Sequence, residues 1–364
     1  MRRRQFLPWT DTTFAARRRA YRIDGMEKRA VRSVILLSAL LCLFGLGQSA
    51  ARATEPSTET SSLDHILLWG HDIDQVTAIL AVKLGLQVRP GRNPGGVANR
   101  YVRMSDGSYL ELESITRPNP DMDPGMRADQ AMLHGSLGSR TFGLRTSALD
   151  QMRVFLLHEG LNPTAIFSAS PTDPDGAGPS KPPRWRLFAF EHQPLSSNLF
   201  FIDYASVDAT PARMADDQVA RMHPDSAREL SAIWLLSSNA DADRKQFERM
   251  GFTGAARVRM PQLAAQGYWV SVGPKRIFML QPDGPGLAAD ALRKGGPQVL
   301  GISIGVADLE QAKRWVERGY EKELARYQGS LGDSFLAPTQ DDLGLLIEFH
   351  ALPTTTIGPA PIRR

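Results

Sequence analysis

Hydrophobic and polar positions follow the same order four times along this chain, in units that begin near residues 63, 140, 229 and 299. Each unit opens with a short apolar run, which indicates a buried strand, and continues with an amphipathic helical stretch. Further strands follow, and the last of them ends in a second apolar run. Repetition of one supersecondary unit predicts that neighbouring units stack to bury their apolar faces. The pattern therefore predicts an α+β protein of four βαβββ-like units.

The first unit shows the pattern most clearly. Its opening strand is LDHILLW (63–69), and the helical stretch DIDQVTAILAVKLG (72–85) follows. Asp72 is a helix N-cap residue, and Gly85 is typical of a helix C-terminus. SDG (105–107) separates two alternating stretches and predicts the turn of a hairpin.

The four units, taken in pairs, predict two domains, since 364 residues exceed the size of one ordinary core. A polar stretch between the second and third units marks the boundary. The predicted organisation is an N-terminal extension with a signal peptide (1–53), a linker (54–62), a first domain (63–207), a second linker (208–228), a second domain (229–355) and a tail (356–364).

The N-terminal segment has the features of an export signal. MEKRAVR (26–32) is positively charged, SVILLSALLCLFGLG (33–47) is an apolar run, and ARA (51–53) has the form of a cleavage site. The apolar run is short for a membrane-spanning helix, although an uncleaved anchor is the alternative. We expect translation to start at Met26 and the mature, periplasmic or secreted chain to begin at Thr54.

Charge and cysteine content narrow the function classes. The formal net charge is +4, but residues 1–53 hold 11 Lys and Arg against 3 Asp and Glu. The remaining chain therefore has 32 basic and 36 acidic residues, which gives no support for nucleic-acid binding. The only cysteine, Cys42, lies in the apolar run, so the mature chain has no disulfide, thiolate metal site or cysteine nucleophile. The nucleotide-binding motif GxGxxG and the zinc-hydrolase motif HExxH are also absent from the sequence.

Several stretches, in this order, resemble one superfamily. They are LDHILLWGHDID, GLQVRPGRNPGGVANRYVRMSDGSYLELESI, FGLRTSALDQM, RWRLFAF, LFFIDY and MHPDSARELSAIWLL. Together they resemble the vicinal-oxygen-chelate superfamily of glyoxalases, extradiol dioxygenases and fosfomycin-resistance proteins, and within it the glyoxalase-like domain family. The resemblance implies glyoxalase/bleomycin-resistance-type domains, in which two βαβββ units form a half-barrel around a cup.

The resemblance also implies a metal site in the first cup. In such cups the ligands come from the first and last strands of each unit, and the matching positions here are His65, Glu111 and Asp203. Glu113 is an alternative to Glu111 because both alternate onto one face of the strand. Thr141 stands at the fourth position and is a poor ligand. Imidazole and carboxylate ligands suit Zn, Fe, Mn or Ni.

His65 alone has another interpretation, which is a buried core histidine bonded to a neighbour. The substrate candidates are Asn99, Arg100, Tyr109 and Arg186; for Arg186 a salt bridge is the favoured alternative. In the second half of the chain, only Glu348 occupies a ligand position with a metal-binding side chain, so a degenerate second domain is expected.

Two functions follow from the resemblance. The first is an exported metal-dependent lyase or isomerase that acts on a small substrate with vicinal oxygens, with Glu111 or Asp203 as general base. The second is a non-catalytic protein that binds a small molecule in the same cup, lined by Phe201, Trp185 and Tyr109. In both cases the expected partner is a small molecule. We expect no nucleic acid and no membrane span after signal cleavage, and a homodimer remains open.

Overall fold

The computed structural model describes residues 61–91, 96–117, 129, 137–168, 183–206 and 210–353. The predicted signal peptide, most of the 54–62 linker and the 356–364 tail lie outside these residues. All described residues belong to one compact unit. None of the described helices has the length and apolar character needed to cross a membrane.

The first half of the described chain contains two βαβββ units, as predicted. A short helix, α1, continues as a π-helical turn over Ile79–Lys83. The bounds are β1 Ser61–Trp69, α1 Ile73–Ala78, β2 Arg89–Pro90, β3 Val97–Arg103, β4 Tyr109–Ile115, β5 Gly138–Thr146, α2 Leu149–His158, β6 Phe167–Ser168, β7 Trp185–Phe188 and β8 Asn198–Tyr204.

The second half repeats the arrangement and adds helices that the sequence pattern did not predict. One of them, α3 (Pro211–Ala220), lies inside the stretch predicted as the 208–228 linker. The other elements are β9 Ala227–Leu236, α4 Ala240–Arg249, β10 Ala256–Met260, β11 Ala265–Val272, β12 Lys275–Pro282, α5 Leu287–Gly295, β13 Gln298–Val306, α6 Leu309–Tyr320, β14 Arg326–Gly329, β15 Gly332–Ala337, α7 Gln340–Leu343 and β16 Leu346–Ala351.

Strand pairing confirms the repeat. In every unit the first strand pairs parallel with the last strand: β1 with β4, β5 with β8, β9 with β12 and β13 with β16. The opening strands of neighbouring units pair antiparallel, β1 with β5 and β9 with β13. Each half therefore forms an eight-stranded sheet, and the two sheets meet where Val299 pairs with Ser139. The placement of the domain boundary at 208–228 stays a prediction.

The sheet of the first half has two different faces. Its helix face carries Ile66, Leu68 and Phe201, which pack with residues of α1 and α2 in the main hydrophobic core. Its other face, which we call the inner face, carries a smaller apolar cluster that includes Leu67 and Phe200. Because side chains alternate along a strand, the face of each candidate residue follows from this division.

The start of α1 matches its sequence signal. The side chain of Asp72 accepts a hydrogen bond from the backbone N–H of Asp74 at 2.8 Å, as an N-cap residue does. Gly85 has a φ of +77°, where a Cβ atom would also meet the ring of Trp315. The end of this helical segment therefore requires glycine for both conformation and space.

A buried carboxyl group lies where the two halves are connected. Asp225 precedes β9 and is fully buried; its Oδ1 accepts from the N–H of Ala227 at 3.0 Å. Its Oδ2 has no hydrogen-bond partner among the described residues. Burial raises the pKa of Asp225 to about 7, against the partial effect of its backbone hydrogen bonds.

This pKa predicts a pH-dependent stability. When the pKa of a carboxyl group is higher in the folded than in the unfolded state, the group contributes to folding stability at a pH below its unfolded-state pKa. This contribution is lost as the pH rises through the folded-state pKa. Asp225→Asn cannot ionise, so its free energy of unfolding should rise by about 2 kcal/mol relative to the wild type between pH 5 and pH 8. Chemical denaturation at both pH values measures this difference.

Asp217→Asn is the matched control. Burial opposes ionisation of Asp217, but hydrogen bonds and charge from Arg221 and Arg103 hold the pKa of Asp217 below its ordinary value. Asp217 is therefore ionised in both the folded and the unfolded state throughout this pH range. Its variant should keep a constant difference from the wild type. An equally constant difference for Asp225→Asn would contradict the assignment of Asp225.

Candidate functional site

His65 lies on the inner face of β1 and is almost fully buried, with 2% of its surface exposed. The pairing of β1 with β5 shifts register between Leu63 and His65, which marks a β-bulge. A bulge can bring two consecutive side chains to the same side of a strand. Here it allows Asp64 Oδ2 to lie 2.7 Å from Nδ1 of His65.

Asp64 is a buried carboxylate with several partners. Arg145 Nη2 lies 2.5 Å from Asp64 Oδ1, and the Tyr204 hydroxyl donates to Oδ2 at 2.6 Å. Burial by itself would raise the pKa of Asp64, but the hydrogen bond and charge of His65, together with Arg145, hold it below the ordinary value. Asp64 is therefore ionised and can only accept hydrogen bonds, so Nδ1 of His65 donates to it.

The second ring nitrogen of His65 faces the inner side of the sheet. Glu111 Oε2 lies 3.5 Å from His65 Nε2. The ring of Tyr109 stacks on the imidazole with 4.2 Å between centroids, and Phe200 meets it edge-on at 5.1 Å. Aromatic contacts on two sides fix the plane of the imidazole, so Nε2 points in one direction.

The other oxygen of Glu111 belongs to a polar group on β3. Asn99 Nδ2 donates to Glu111 Oε1 at 3.3 Å and to the Tyr101 hydroxyl at 2.9 Å. Burial, and then the charge of Glu111, raise the pKa of Tyr101. Burial, together with the charge of Glu111, also raises the pKa of Tyr109. Both phenols therefore stay protonated and act as neutral hydrogen-bonding groups.

The structure brings together four of the predicted residues: His65, Glu111, Asn99 and Tyr109. Glu111, and not the alternative Glu113, is the carboxylate beside His65. Glu113 is buried two residues further along the strand, at the level of Trp69. The opening and closing strands of the first unit thus place His65 and Glu111 next to each other, in the positions that the resemblance implied.

The structure places Asp203 elsewhere. In the first unit His65 pairs with Tyr109 and Leu67 with Glu111. In the second unit Thr141 pairs with Asn198 and Gly143 with Phe200. The register therefore makes Phe200, and not Asp203, the counterpart of Glu111. Asp203 is three residues further along β8 and lies on the opposite face, because side chains alternate.

Asp203 has a different partner on the helix face. It pairs with Arg186, its cross-strand neighbour, through Arg186 Nη2 at 2.5 Å and Nε at 3.2 Å. Arg186 also contacts Asp150 of α2 at 3.0 Å. These contacts set the predicted ligand Asp203 and the predicted substrate residue Arg186 in one ion-pair network away from His65. The salt-bridge interpretation of Arg186 agrees with this placement.

Two further predicted residues lie on the helix face. Arg100 contacts α1, where it donates to Thr77 Oγ1 at 2.6 Å and forms an ion pair with Asp74. Phe201 stacks on Phe188 with 5.3 Å between ring centroids. Phe200 takes the inner-face position expected of Phe201. Strand alternation accounts for both differences, since each residue is one position away from an inner-face residue.

Thr141, at the position equivalent to His65, holds a buried aspartate. Its hydroxyl donates to Asp129 Oδ1, which also accepts from Asn198 Nδ2 at 2.9 Å. Trp69 Nε1 donates to Asp129 Oδ2 at 2.6 Å. The second unit therefore uses its ligand-equivalent position to bind a carboxylate of the chain itself.

The positions of His65 and Glu111 fit a divalent metal ion held by two protein ligands. Two ligand atoms about 2.0–2.1 Å from one tetrahedral ion lie about 3.4 Å apart. The measured 3.5 Å between Nε2 and Oε2 matches this spacing and is long for a direct hydrogen bond. The carboxylate on Nδ1 is also the usual support of a metal-binding histidine. Among the described residues, no group of three His, Cys, Asp or Glu side chains could hold a metal ion.

The second half has a filled counterpart of this site. Pairing of Ser303 with Glu348 makes Glu348 the equivalent of Glu111, as predicted. Glu348 accepts from Ser303 Oγ at 2.8 Å and from the Tyr327 hydroxyl at 2.5 Å. Trp234 and Phe278 are fully buried in an apolar cluster there. Burial raises the pKa of Glu348, against these two bonds, which is consistent with a structural carboxyl group.

The comparison with protein families decides the classification. The model of a family described as "Glyoxalase-like domain" matches residues 63–251, slightly more than half of the chain. The chain belongs to the glyoxalase-like domain family. The predicted family and fold class are therefore confirmed, and the matched region includes both units that surround His65. A comparison with curated proteins found no significant match.

Two solved structures share the fold of this glyoxalase-like protein. A variant of 4-hydroxymandelate synthase from Streptomyces coelicolor has a TM-score of 0.56 at 12% identity, over 80% of this chain and 92% of that chain. A catechol 2,3-dioxygenase has a TM-score of 0.52 at 16% identity, over 83% of this chain and 95% of that chain. At these identities the similarity shows the fold alone.

Sequence reasoning missed Asp64, Arg145, Tyr204 and Asp129. Alternation along β1 assigns Asp64 to the helix face, and only the bulge turns its carboxylate toward Nδ1. Asp129 comes from the long connection between β4 and β5, for which the sequence gives no register. The adjacent letters D and H in LDHILLW were the one available signal, because a carboxylate beside a ligand histidine is a common pair.

The position of Asp203 predicts a structural role only. Asp203→Asn and Arg186→Gln should each lower the free energy of unfolding by about 0.5–1 kcal/mol, as expected for a partly exposed ion pair. The double variant should be little worse than Arg186→Gln alone, since that variant already removes the contact with Asp203. Urea denaturation of the four proteins measures this coupling, and fully additive losses would contradict the pairing.

Proposed function

We propose that this protein is a metal-dependent lyase or isomerase that acts on a small substrate with vicinal oxygens. The observation that carries the proposal is the line Asp64–His65–Glu111, in which Asp64 fixes Nδ1 and Nε2 lies 3.5 Å from Glu111. Membership of the glyoxalase-like domain family supports the choice of chemistry. A divalent ion held by His65 and Glu111 would act as a Lewis acid on the substrate oxygens.

The residues of the chain have separate roles in this proposal. His65 is held in one tautomer by Asp64 and offers the lone pair of Nε2. Glu111 is the candidate general base for a proton on the carbon next to a carbonyl group. Asn99 orients Glu111 through Oε1. Asp203 takes no part in this chemistry because it lies on the helix face with Arg186.

The substrate would bind against an aromatic wall on the inner face. Phe200 contacts His65, and Trp185 and Phe167 lie together with 5.7 Å between ring centroids. These rings favour a compact, partly apolar molecule whose oxygens reach His65 and Glu111. The charged n-region, the apolar run and the ARA site support export to the periplasm or the medium as part of the proposal.

A binding protein without metal is the second candidate. The observation that favours it is the replacement of both ligand positions in the second unit, by Thr141 and Phe200. A cup with half of a ligand set can still hold a small molecule through its aromatic side chains and Asn99. In that case His65 is a buried polar residue that hydrogen-bonds the ligand.

Metal content separates the two candidates. We expect about one divalent ion per chain in protein purified without an affinity tag or chelator, by elemental mass spectrometry. His65→Ala and Glu111→Gln should lose the ion, because each removes one of the two protein ligands.

Asp203→Asn is the matched control for Glu111→Gln, since both convert a carboxylate to an amide in the same half of the chain. It should retain the ion. A metal-free wild-type protein that still binds small aromatic molecules would favour the binding candidate. Loss of the ion in Asp203→Asn but not in Glu111→Gln would contradict the site.

A further inference from the structure

A buried arginine lies where the two halves of the chain meet. Arg140 belongs to β5 and has only 6% of its surface exposed. Its Nη1 donates to the backbone oxygen of Pro297, which follows α5 in the second half, at 2.6 Å. This is the one hydrogen bond that the guanidinium makes with the described residues, and none of their carboxylates forms an ion pair with it. Nη2 of Arg140 is therefore a cationic donor without a partner in the described part of the chain.

The charge of Arg140 makes this arrangement unusual. Burial lowers the pKa of Arg140, and the charge of Asp129 opposes that effect. A guanidinium nevertheless keeps its proton in proteins, so Arg140 is a buried cation. Buried arginines are ordinarily paired with a carboxylate, as the half-buried Arg145 is with Asp64 at 2.5 Å. A buried cation that lacks such a contact favours an anion supplied from outside the chain.

A cleft of about 410 Å³ opens beside this guanidinium. It is lined by Arg140, Leu195, Ser196, Gly295 and Pro297. Its volume lies in the range of sites for small molecules. Leu195 and Pro297 give it an apolar wall, while Arg140 supplies a positive charge. One cation beside an apolar wall matches a small carboxylate that has an apolar body.

Gly295, the last residue of α5, leaves the polar groups of the cleft uncovered. A Cβ atom at this position would lie 3.4 Å from Arg140 Nη2 and 3.3 Å from Gln298 Nε2. Gln298 Nε2 is 3.4 Å from the backbone oxygen of Ala291, which is long for a hydrogen bond. Both nitrogens therefore have hydrogens to donate, and both lie close to one point beside Gly295. Two donors in this arrangement suit the two oxygens of one carboxylate.

We propose that this cleft is a second ligand site, which binds a small carboxylate through Arg140 Nη2 and the side-chain amide of Gln298. Leu195 and Pro297 pack against the apolar part of the ligand. The site shares no residue with the one around His65, and its ligand would contact both halves of the chain. The inference therefore goes beyond the proposed function and does not depend on a metal ion.

A purely structural role for Arg140 gives a different expectation. In that role Arg140 only connects the two halves through its hydrogen bond to Pro297, and its loss changes stability without any effect on a ligand. The ligand role predicts saturable binding of a carboxylate to the wild type. It also predicts that a methyl group at residue 295 weakens this binding while the hydrogen bond to Pro297 remains.

The test titrates the metal-free, full-length protein with butyrate by isothermal calorimetry at constant ionic strength. Butyramide, which has nearly the same shape but no charge, is the matched control ligand. Butyrate should bind saturably, and butyramide should bind about tenfold more weakly or worse, because a charge-assisted hydrogen bond is lost. Inorganic phosphate in a separate titration shows whether the site selects a carboxylate with an apolar body or any oxyanion.

Two variants locate the binding. Arg140→Gln should weaken butyrate binding about ten- to a hundredfold, the effect of one hydrogen bond from a charged group. Gly295→Ala should weaken it about fivefold or more, the effect of one additional methyl group in a packed site. Arg293→Gln removes an exposed charge from the same helix, and Gly284→Ala adds a methyl group with no atom within 4 Å. Both of these controls should bind butyrate as the wild type does.

Circular dichroism checks that each variant is folded, and Gly295→Ala decides the matter if Arg140→Gln is not. Absence of saturable butyrate binding, or equal binding of butyramide, overturns the proposal. Wild-type affinity in Gly295→Ala does so too. Phosphate bound more tightly than butyrate overturns the carboxylate assignment. Because metal-free protein is used, failure here leaves the metal content predicted for His65 and Glu111 untouched, and loss of that metal site leaves this one untouched.

Discussion

The contact between Asp64 and Nδ1 of His65 is the constraint on which the rest of the site depends. It requires a β-bulge at the root of β1, because regular alternation would send the two side chains to opposite faces. It fixes the tautomer of the imidazole, and the rings of Tyr109 and Phe200 fix its plane. With the tautomer and the ring plane fixed, Nε2 of His65 faces Glu111 and the space in front of it. Arg145 and Tyr204 offset the cost of burying the carboxylate.

The four repeated units carry very different amounts of chemistry on one backbone plan. The first unit keeps an imidazole and a carboxylate at the two ligand-equivalent positions. The second unit has Thr141 and Phe200 there, and Thr141 is used to bind Asp129. In the fourth unit Glu348 survives, but Ser303 and Tyr327 satisfy it inside an apolar core. The repeat therefore preserves the fold, while function depends on which side chains occupy a few inner-face positions.

The fold was largely predictable, because it depends on periodicity and on local signals such as Asp72 and Gly85. The pairing of His65 with Glu111 was also predictable, since both belong to strongly patterned strands that are paired in the family fold. The assignment of Asp203 failed for a physical reason: a one-residue error in phase reverses the face of a strand residue, and LFFIDY is apolar on both sides. The position of Asp64 depends on a β-bulge, and that of Asp129 on a long connection. Neither feature produces a periodic pattern in the sequence.

The central claim is that His65 and Glu111 together are the metal-binding part of the chain. X-ray absorption spectroscopy of the Zn²⁺-loaded protein tests it most directly, because it resolves imidazole nitrogen from oxygen ligands. The account predicts that the ion in the wild-type protein has one imidazole nitrogen and one carboxylate among its ligands, with exchangeable oxygen ligands at the remaining positions. In Glu111→Gln the carboxylate ligand should be lost. Two imidazoles around the ion, or none, would contradict the account, and none would make His65 a buried structural residue.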